Sequence, residues 1–454
     1  MPQLRTVRIA CALASSAALA AAGASAAPPP TGWDFRLDAR EEYRVRSGSG
    51  PDESDQRMHL LLELGGADPS RRTEASGTLA LWWTTAGKPP AAEPYGLATL
   101  YGRRNPWADV LGLHVERREL GAVRVARAGR QETPHGRPGT FDGVYALARP
   151  WGAPLDLFAF GGRTVHFFET EPGLLESWLA SVGATYRPSP ALKLETDVRV
   201  MRDVLHHRDD PGARDATATS YGLSAWWRRG EQLAFKGTVR GVNAAVERIE
   251  GLASASAARV PAGVEARIGW QPSTLGELDL LGEPYFLTLG PSLPHLRWRV
   301  DGWASLSRGG GEYSAHAGFE GRRNLRDEET AFNRNVDRLY ALAAARDVGI
   351  RGLRASLSLD RDSTGALLSG PGGAWSVNGS AGYERGRFDL EVGTQYYVYR
   401  YDYFADLRET ADVRVFHGTL RLGVAHGLSA QVRAAHEVFD RRITTVVVAL
   451  SQSY

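Results

Sequence analysis

The most regular feature of the chain is an alternation of apolar and charged residues that begins at Trp33–Arg46. There the odd positions are mostly apolar, and the even positions are all charged. Because successive side chains of a β-strand point to opposite faces, the pattern predicts a strand with one apolar and one charged face. The pattern recurs to the end of the chain, so we predict an all-β fold.

Dividing the chain by this period gives about 20 strands. Residues 271–294 do not alternate cleanly, and they predict either a long loop folded into a lumen or a short helix with a turn. A barrel grows by adding hairpins, so one long chain favours a single antiparallel transmembrane β-barrel over several soluble domains. Bacterial barrels usually have an even number of strands, and we predict about 18, within a range of 16 to 20.

The N-terminus predicts export from the cytoplasm. Arg5 and Arg8 precede the apolar run Ile9–Ala22, and Ala24-Ser25-Ala26 matches a cleavage site for signal peptidase. We therefore predict a signal peptide over residues 1–26 and a β-barrel over residues 27–454. An exported chain of two-faced strands indicates the outer membrane of a Gram-negative cell, where membrane lipid is a partner. A secreted soluble β-protein is the alternative.

Composition excludes several classes of function. The single cysteine, Cys11, lies within the predicted signal peptide, so the mature chain has no disulfide and no thiolate metal site. The chain has 54 Lys and Arg against 52 Asp and Glu, and removal of Arg5 and Arg8 leaves equal numbers. We predict no nucleic-acid partner, no cofactor and no metal. Since the sequence has no phosphate-binding loop and no zinc-protease or haem-attachment motif, we also predict that the protein is not an enzyme.

Arginines on the charged face are the candidate functional residues. A guanidinium group stays charged and binds a carboxylate through two parallel hydrogen bonds, so a ladder of such groups can pass an anion from site to site. The alternative is that these arginines pair with acids of the same face and stiffen the wall. The predicted pore-lining, anion-binding residues are Arg36, Arg40, Arg44, Arg124, Arg130, Arg199, Arg240, Arg297 and Arg299.

Two of these arginines belong to a predicted hairpin, Leu111–Arg118 and Ala122–Arg130. In its second arm, Val123 and Val125 are predicted to face outward, and Arg124 and Arg130 inward. Arg127 does not fit this alternation unless a β-bulge shifts the register.

The segment after this hairpin carries a recognisable motif. Gly129, Arg130 and Gln131, followed by Phe141, Asp142 and Gly143, resemble the GRQ…FDG segment of the alginate export porin family. The resemblance is best over roughly residues 30–170. It implies one outer-membrane barrel of about 18 antiparallel strands whose arginine-lined pore passes an anionic polysaccharide.

These observations predict an outer-membrane porin or exporter for hydrophilic, anionic solutes or polysaccharide. A second hypothesis is a barrel scaffold for periplasmic or surface partners. A third is an outer-membrane lipid hydrolase, although no Ser–His spacing stands out in the sequence.

Overall fold

A computed structural model gives the fold. The residues that it describes are 34–48, 55–84, 107–136, 139–150, 153–165, 177–207, 210–273, 293–326, 335–364, 373–401, 409–425, 428–438 and 442–453. The predicted signal peptide and most of residues 271–294 lie outside them. Within this part of the chain, no helix is long and apolar enough to cross a membrane.

The described residues form 22 β-strands. They are β1 (Asp34–Gly48), β2 (Asp55–Ala67), β3 (Thr73–Thr84), β4 (Trp107–Leu120), β5 (Val123–Glu132), β6 (Thr140–Ala148), β7 (Leu155–Val165), β8 (Trp178–Ser189), β9 (Leu192–His207), β10 (Asp210–Arg229), β11 (Leu233–Val242), β12 (Ala245–Ser256), β13 (Ala262–Gln271), β14 (His295–Arg308), β15 (Gly311–Asn324), β16 (Val336–Arg346), β17 (Leu353–Thr364), β18 (Gly373–Arg385), β19 (Phe388–Tyr401), β20 (Glu409–Ala425), β21 (Leu428–Val438) and β22 (Arg442–Ser453).

All 22 strands belong to one antiparallel sheet in which each strand pairs with its neighbours in sequence. β1 pairs with β2 and also with β22, and this last pairing closes the sheet into a barrel. The all-β antiparallel fold is thus confirmed, but the prediction of about 18 strands is wrong. β12 is a strand that periodicity missed, because the register with β11 shifts between Arg240 and Gly241, and the resulting β-bulge at Glu247 breaks the alternation.

The two ends of the barrel differ in their connections. One end has tight turns, such as residues 121–122, 190–191 and 309–310, and we call it the short-turn end. The other end has the longer connections, including residues 85–106 and 272–294, and we call it the long-loop end. The connection between β5 and β6, residues 133–139, also lies at the long-loop end.

The sheet has one charged face and one apolar face. The strand registers keep the two faces apart, because residues that oppose each other on neighbouring strands point to the same side. Neighbouring residues show the contrast: Glu116 and Val115 on β4, Arg199 and Val198 on β9, Asp301 and Val300 on β14, Asp360 and Leu359 on β17, Asp389 and Leu390 on β19. We call the charged face the inner face and the apolar face the outer face.

Candidate pore and its lining

The outer face exposes large apolar side chains on many strands. Val144, Val182 and Leu339 are 61%, 60% and 54% exposed, and Leu357 and Val392 are half exposed. A water-soluble protein rarely exposes so much apolar surface. A lipid bilayer covers such a surface at no cost, provided that the sheet has no open edge.

The inner face of β16–β19, which we call the open wall, is polar. Arg354 of β17 donates hydrogen bonds to Asp389 (2.6 Å) and Glu391 (3.1 Å) of β19. Ser356 and Ser380 are hydrogen-bonded at 2.8 Å. Hydroxyl groups and ion pairs of this kind form a surface that water wets.

Acidic side chains also hold arginines on the inner face of β14–β16. Arg299 donates two hydrogen bonds to Asp301, at 2.6 and 3.0 Å, in bidentate geometry. The Asp301 carboxylate also accepts a hydrogen bond from Tyr340 and lies 3.2 Å from Nε2 of His316. Since the Asp301 side chain is only 8% exposed, these partners replace the water that it would otherwise bind.

The inner face of β6–β9, which we call the covered wall, has a different chemistry. Here Phe141, Tyr145, Phe158, Phe160 and Leu179 form an apolar cluster, and each is at most 6% exposed. The rings of Phe141 and Phe160 lie 5.4 Å apart. A cluster this dry on the inner face of a barrel means that something lies against it on the lumen side.

Part of that cover is the segment Thr133–Gly136, which we call the inward segment. The ring of His135 stacks on Phe158 with a centroid distance of 3.8 Å. Arg199 donates a hydrogen bond to the carbonyl of His135 (2.9 Å), and Arg240 donates one to the carbonyl of Gly136 (3.0 Å). The inward segment therefore leaves the long-loop end and lies along the wall from β7 to β11.

Gly136 shows how closely the inward segment fits. Its φ is +74°, which favours glycine. A Cβ atom placed on Gly136 would lie 2.6 Å from Oδ2 of Asp197, so a larger residue would push the segment off the wall.

The motif residues of the β5–β6 hairpin meet in space and prepare this arrangement. Gly129 has φ of +122°, and a Cβ there would lie 2.2 Å from the carbonyl oxygen of Leu113. Gln131 is buried and donates to the carbonyls of Gly143 (3.2 Å) and Gly129 (3.4 Å). Phe141 is fully buried in the cluster. These residues thus fix the strand ends from which the inward segment starts.

The structure corrects two predicted pore-lining residues, Arg124 and Arg130. β5 opposes β6 through Val123–Ala148 and then Val125–Leu147, so one residue is inserted at Arg124. Beyond this bulge the odd positions face inward, and Val125 packs against the apolar cluster. Arg130 therefore lies on the outer face, where it forms a bidentate pair with Asp142.

The bulge accounts for Arg127, which the alternation could not place. Arg127 lies on the inner face and donates to Glu116 at 2.6 and 3.0 Å. Arg124 is an exposed residue beside the short turn and is not part of a row along the inner wall.

The other predicted arginines have varied environments. Arg199 and Arg240 lie on the inner face but bind the inward segment, and Arg297 and Arg299 pair with Glu320 and Asp301. The side chains of Arg36, Arg40 and Arg44 lie outside the described residues.

One inner-face cavity of about 240 Å³ concentrates positive charge, and we call it the basic recess. Its lining includes Lys236, Arg267, Arg297, Arg299 and a single carboxylate, Glu250. Gly269 also lines it and, having no side chain, leaves space between the two neighbouring strands. The guanidinium-bearing side chains of Arg267 and Arg297 are each 57% exposed, so both reach the solvent.

Sequence reasoning missed His135 and the cluster that it covers. The signal was present in Phe158 and Phe160, which share the parity of Asp156 and so belong on the charged face. Aromatic residues at such positions indicate an inner face that is not open to water.

No group of three or more His, Cys, Asp and Glu that could hold a metal ion occurs among the described residues.

The fold resembles solved structures of large barrels at very low sequence identity. The P pilus usher (PapC) translocation pore is 8% identical, with a TM-score of 0.50 over 92% of this chain and 99% of that chain. The outer membrane protein OpdK from Pseudomonas aeruginosa is 12% identical, with a TM-score of 0.45 over 93% and 99%. A BenF-like porin from Pseudomonas fluorescens Pf-5 is 11% identical, with a TM-score of 0.45 over 93% and 99%. At these identities the likeness concerns the fold alone.

No family model matches the chain, and no curated protein matches it either. The resemblance to the alginate export porin family therefore stays a prediction that rests on the motif of the β5–β6 hairpin.

Proposed function

We propose that this chain is an outer-membrane channel through which hydrophilic solutes diffuse. The observation that supports it most is the closed 22-stranded sheet, with an apolar outer face and an inner face of ion pairs and hydroxyl groups. Only a closed sheet satisfies every strand edge within lipid. The chemistry of the two faces matches a barrel with lipid outside and water inside.

The inward segment sets the width of this channel on one side. A ring of 22 strands is wider than the rings of 16 to 18 strands that already leave an aqueous channel. Wider barrels need an element that narrows them, and the inward segment lies at the long-loop end, where loops of outer-membrane barrels meet the cell exterior.

An anion preference is the finer part of the proposal, and the basic recess supports it. Four cationic side chains line the recess against one carboxylate. Arg267 binds Glu265, and Arg297 binds Glu320, at distances of 2.5 to 2.9 Å. Each guanidinium group uses only the edge formed by Nε and one terminal nitrogen. Because a guanidinium group has five N–H donors, the other edge remains able to bind a passing carboxylate or phosphate. An alginate-like polysaccharide is the solute that the β5–β6 motif suggests.

Current through a planar bilayer containing the refolded protein tests the proposal. We expect stable conductance steps, and a reversal potential in a salt gradient that indicates anion preference. The triple variant Lys236→Gln/Arg267→Gln/Arg297→Gln should lose most of that preference and keep its conductance. The matched control is Arg308→Gln, which removes an exposed arginine of the outer face of β14 and should change neither quantity.

The outcomes separate the alternatives. A folded protein that never conducts would refute the channel, and a stoichiometric periplasmic partner in the same preparation would then favour a scaffold. Conductance with unchanged selectivity in the triple variant would refute the anion site alone. Block of the current by alginate oligosaccharides, but not by neutral oligosaccharides of equal length, would support the polysaccharide.

A further inference from the structure

We infer that the outer face of β4–β9 binds a phospholipid with an anionic headgroup, drawn from the leaflet at the short-turn end. The inference rests on the proposed membrane location. Its basis is an apolar cavity of about 750 Å³ on the outer face. The residues that line it from strand to strand include Val115, Ala126, Val144, Ala159, Val182 and Val198.

The strand registers explain why the outer face is hollow here. Ala126 opposes Ala146, which in turn opposes Ala159, so three methyl side chains lie in a row across β5–β7. Farther from the short turns, the row Val300, Phe319 and Leu339 across β14–β16 consists of larger side chains. Small side chains flanked by valines leave the depression that forms this cavity. The depression is apolar, as an acyl chain requires.

Positive charge at one end of the cavity indicates that the acyl chain belongs to a lipid with an anionic headgroup. Arg117 lines the cavity at the short-turn end, and its side chain is 47% exposed. It donates to Thr73 and lies 3.7 Å from Asp68. Arg124, at the bulge two residues nearer the turn than Ala126, is exposed and has no ion-pair partner among the described residues.

The surrounding charges leave this end positive. The adjacent turn adds Arg71 and Arg72, while the acids near it are Asp68 and Glu119, the latter 3.0 Å from Arg72. At the long-loop end of the same face, Arg130 is held by Asp142 in a bidentate pair. An apolar cavity with unbalanced cations at one end complements a phosphodiester headgroup joined to a hydrocarbon chain.

The orientation of the barrel assigns the leaflet. Short turns of outer-membrane barrels face the periplasm, so Arg117 and Arg124 lie at the level of the periplasmic headgroups. A lipid seated there would lie with its phosphate beside these arginines and one chain along the row of alanines.

Native mass spectrometry of the folded protein tests this, after exchange into detergent micelles that contain phosphatidylglycerol or phosphatidylcholine. We expect one phosphatidylglycerol to be retained per chain in preference to phosphatidylcholine. Ala146→Trp, which fills the cavity, should lose the retained lipid. Arg117→Gln/Arg124→Gln should keep a lipid but lose the preference between headgroups. The matched controls, Ala341→Trp on the outer face of β16 and Arg308→Gln, should behave like the unmodified protein.

Two outcomes would overturn the inference. One is equal retention by the unmodified protein, Ala146→Trp and Ala341→Trp. The other is a multimer that Ala146→Trp dissociates and that retains no lipid, which would assign the cavity to a second copy of the chain. Conductance of the same samples separates this from the proposed function, because a channel that conducts without retaining lipid refutes the lipid site only. Heat-dependent migration in gels confirms that each variant is folded.

Discussion

The covered wall and the open wall belong to one sheet, yet their inner faces follow different rules. On the covered wall, Phe158 and Phe160 are 3% and 4% exposed and pack beneath the inward segment. On the open wall, Ser356 and Arg354 form hydrogen bonds with strand neighbours, and the Arg354 side chain is 29% exposed. Both walls have the same strand geometry, so the side chains of the inner face alone decide whether a segment lies against the wall or water does.

The comparison also shows how a barrel narrows its lumen from one side. An apolar cluster gives the inward segment a dry surface, and Arg199 and Arg240 bind its carbonyl groups. The open wall consists of ion pairs that satisfy one another. We infer that the covered wall sets the width of the pore and that the open wall supplies its wetted surface.

The largest expected change follows from removing the inward segment. Deletion of residues 133–136 should raise single-channel conductance by roughly twofold or more, because conductance follows the open cross-section of the lumen. Gly136→Val should act in the same direction, since a side chain there collides with Asp197. The matched control is Gly237→Val, where an added Cβ atom meets no atom within 4 Å. Unchanged conductance in the deletion variant would mean that the inward segment does not narrow the pore.

The next largest effect is a difference in stability between two variants, one in the apolar cluster and one on the outer face. Phe158→Ala removes the ring that stacks on His135 and should destabilise the barrel by about 3–5 kcal/mol. Leu357→Ala, on the outer face, should cost roughly 1 kcal/mol or less, because lipid fills the space left by a half-exposed side chain. Urea unfolding of both variants in lipid vesicles measures the difference. Equal losses would contradict the presence of a packed cluster on the covered wall.

A smaller effect is expected at the buried carboxylate of Asp301. Arg299→Gln removes the bidentate partner and should cost about 1–3 kcal/mol, between the values for exposed and buried pairs. Adding Asp301→Asn should restore part of the loss, because no carboxylate is then left without its arginine. A double-mutant cycle from unfolding curves gives the coupling free energy between Arg299 and Asp301. If the free-energy losses of the two single variants simply add in the double variant, the two side chains do not stabilise the barrel as a pair.

The smallest effect is expected on the open wall. Ser356→Ala leaves Ser380 without its hydroxyl partner and should cost about 0.5–1.5 kcal/mol, the value of an ordinary hydrogen bond. Conductance should not change, since the wall stays polar and no segment is released. If Ser356→Ala raised the conductance as much as deletion of residues 133–136, the covered wall and the open wall would not differ in their effect on the pore.

Much of the fold could be predicted because alternation is a local property of the sequence. Trp33–Arg46 predicted β1, and similar stretches predicted most of the other strands. Periodicity missed β12, where a β-bulge at Glu247 interrupts the alternation. Alternation assigns faces only until a bulge intervenes, which is why Arg130 was placed on the wrong side of the sheet.

The candidate pore was less predictable for a different reason. A row of inward arginines can be read from parity, but the acid that each one binds depends on strand register, as for Arg297 and Glu320. No alternation of apolar and polar residues predicts that the inward segment lies against the wall. It depends on the packing of His135 against Phe158, which lies on another hairpin.

A pair of single cysteines at neighbouring positions of β17 tests most directly whether the barrel holds water inside and lipid outside. Ser358→Cys places a thiol on the inner face and Leu357→Cys places one on the outer face, in a chain whose own cysteine, Cys11, lies in the predicted signal peptide. Current through each variant is recorded while a charged thiol reagent that cannot enter lipid is added. We expect the reagent to reduce the current through Ser358→Cys and to leave the current through Leu357→Cys unchanged. Reaction at Leu357→Cys with no effect at Ser358→Cys would contradict a water-filled barrel with this inner face.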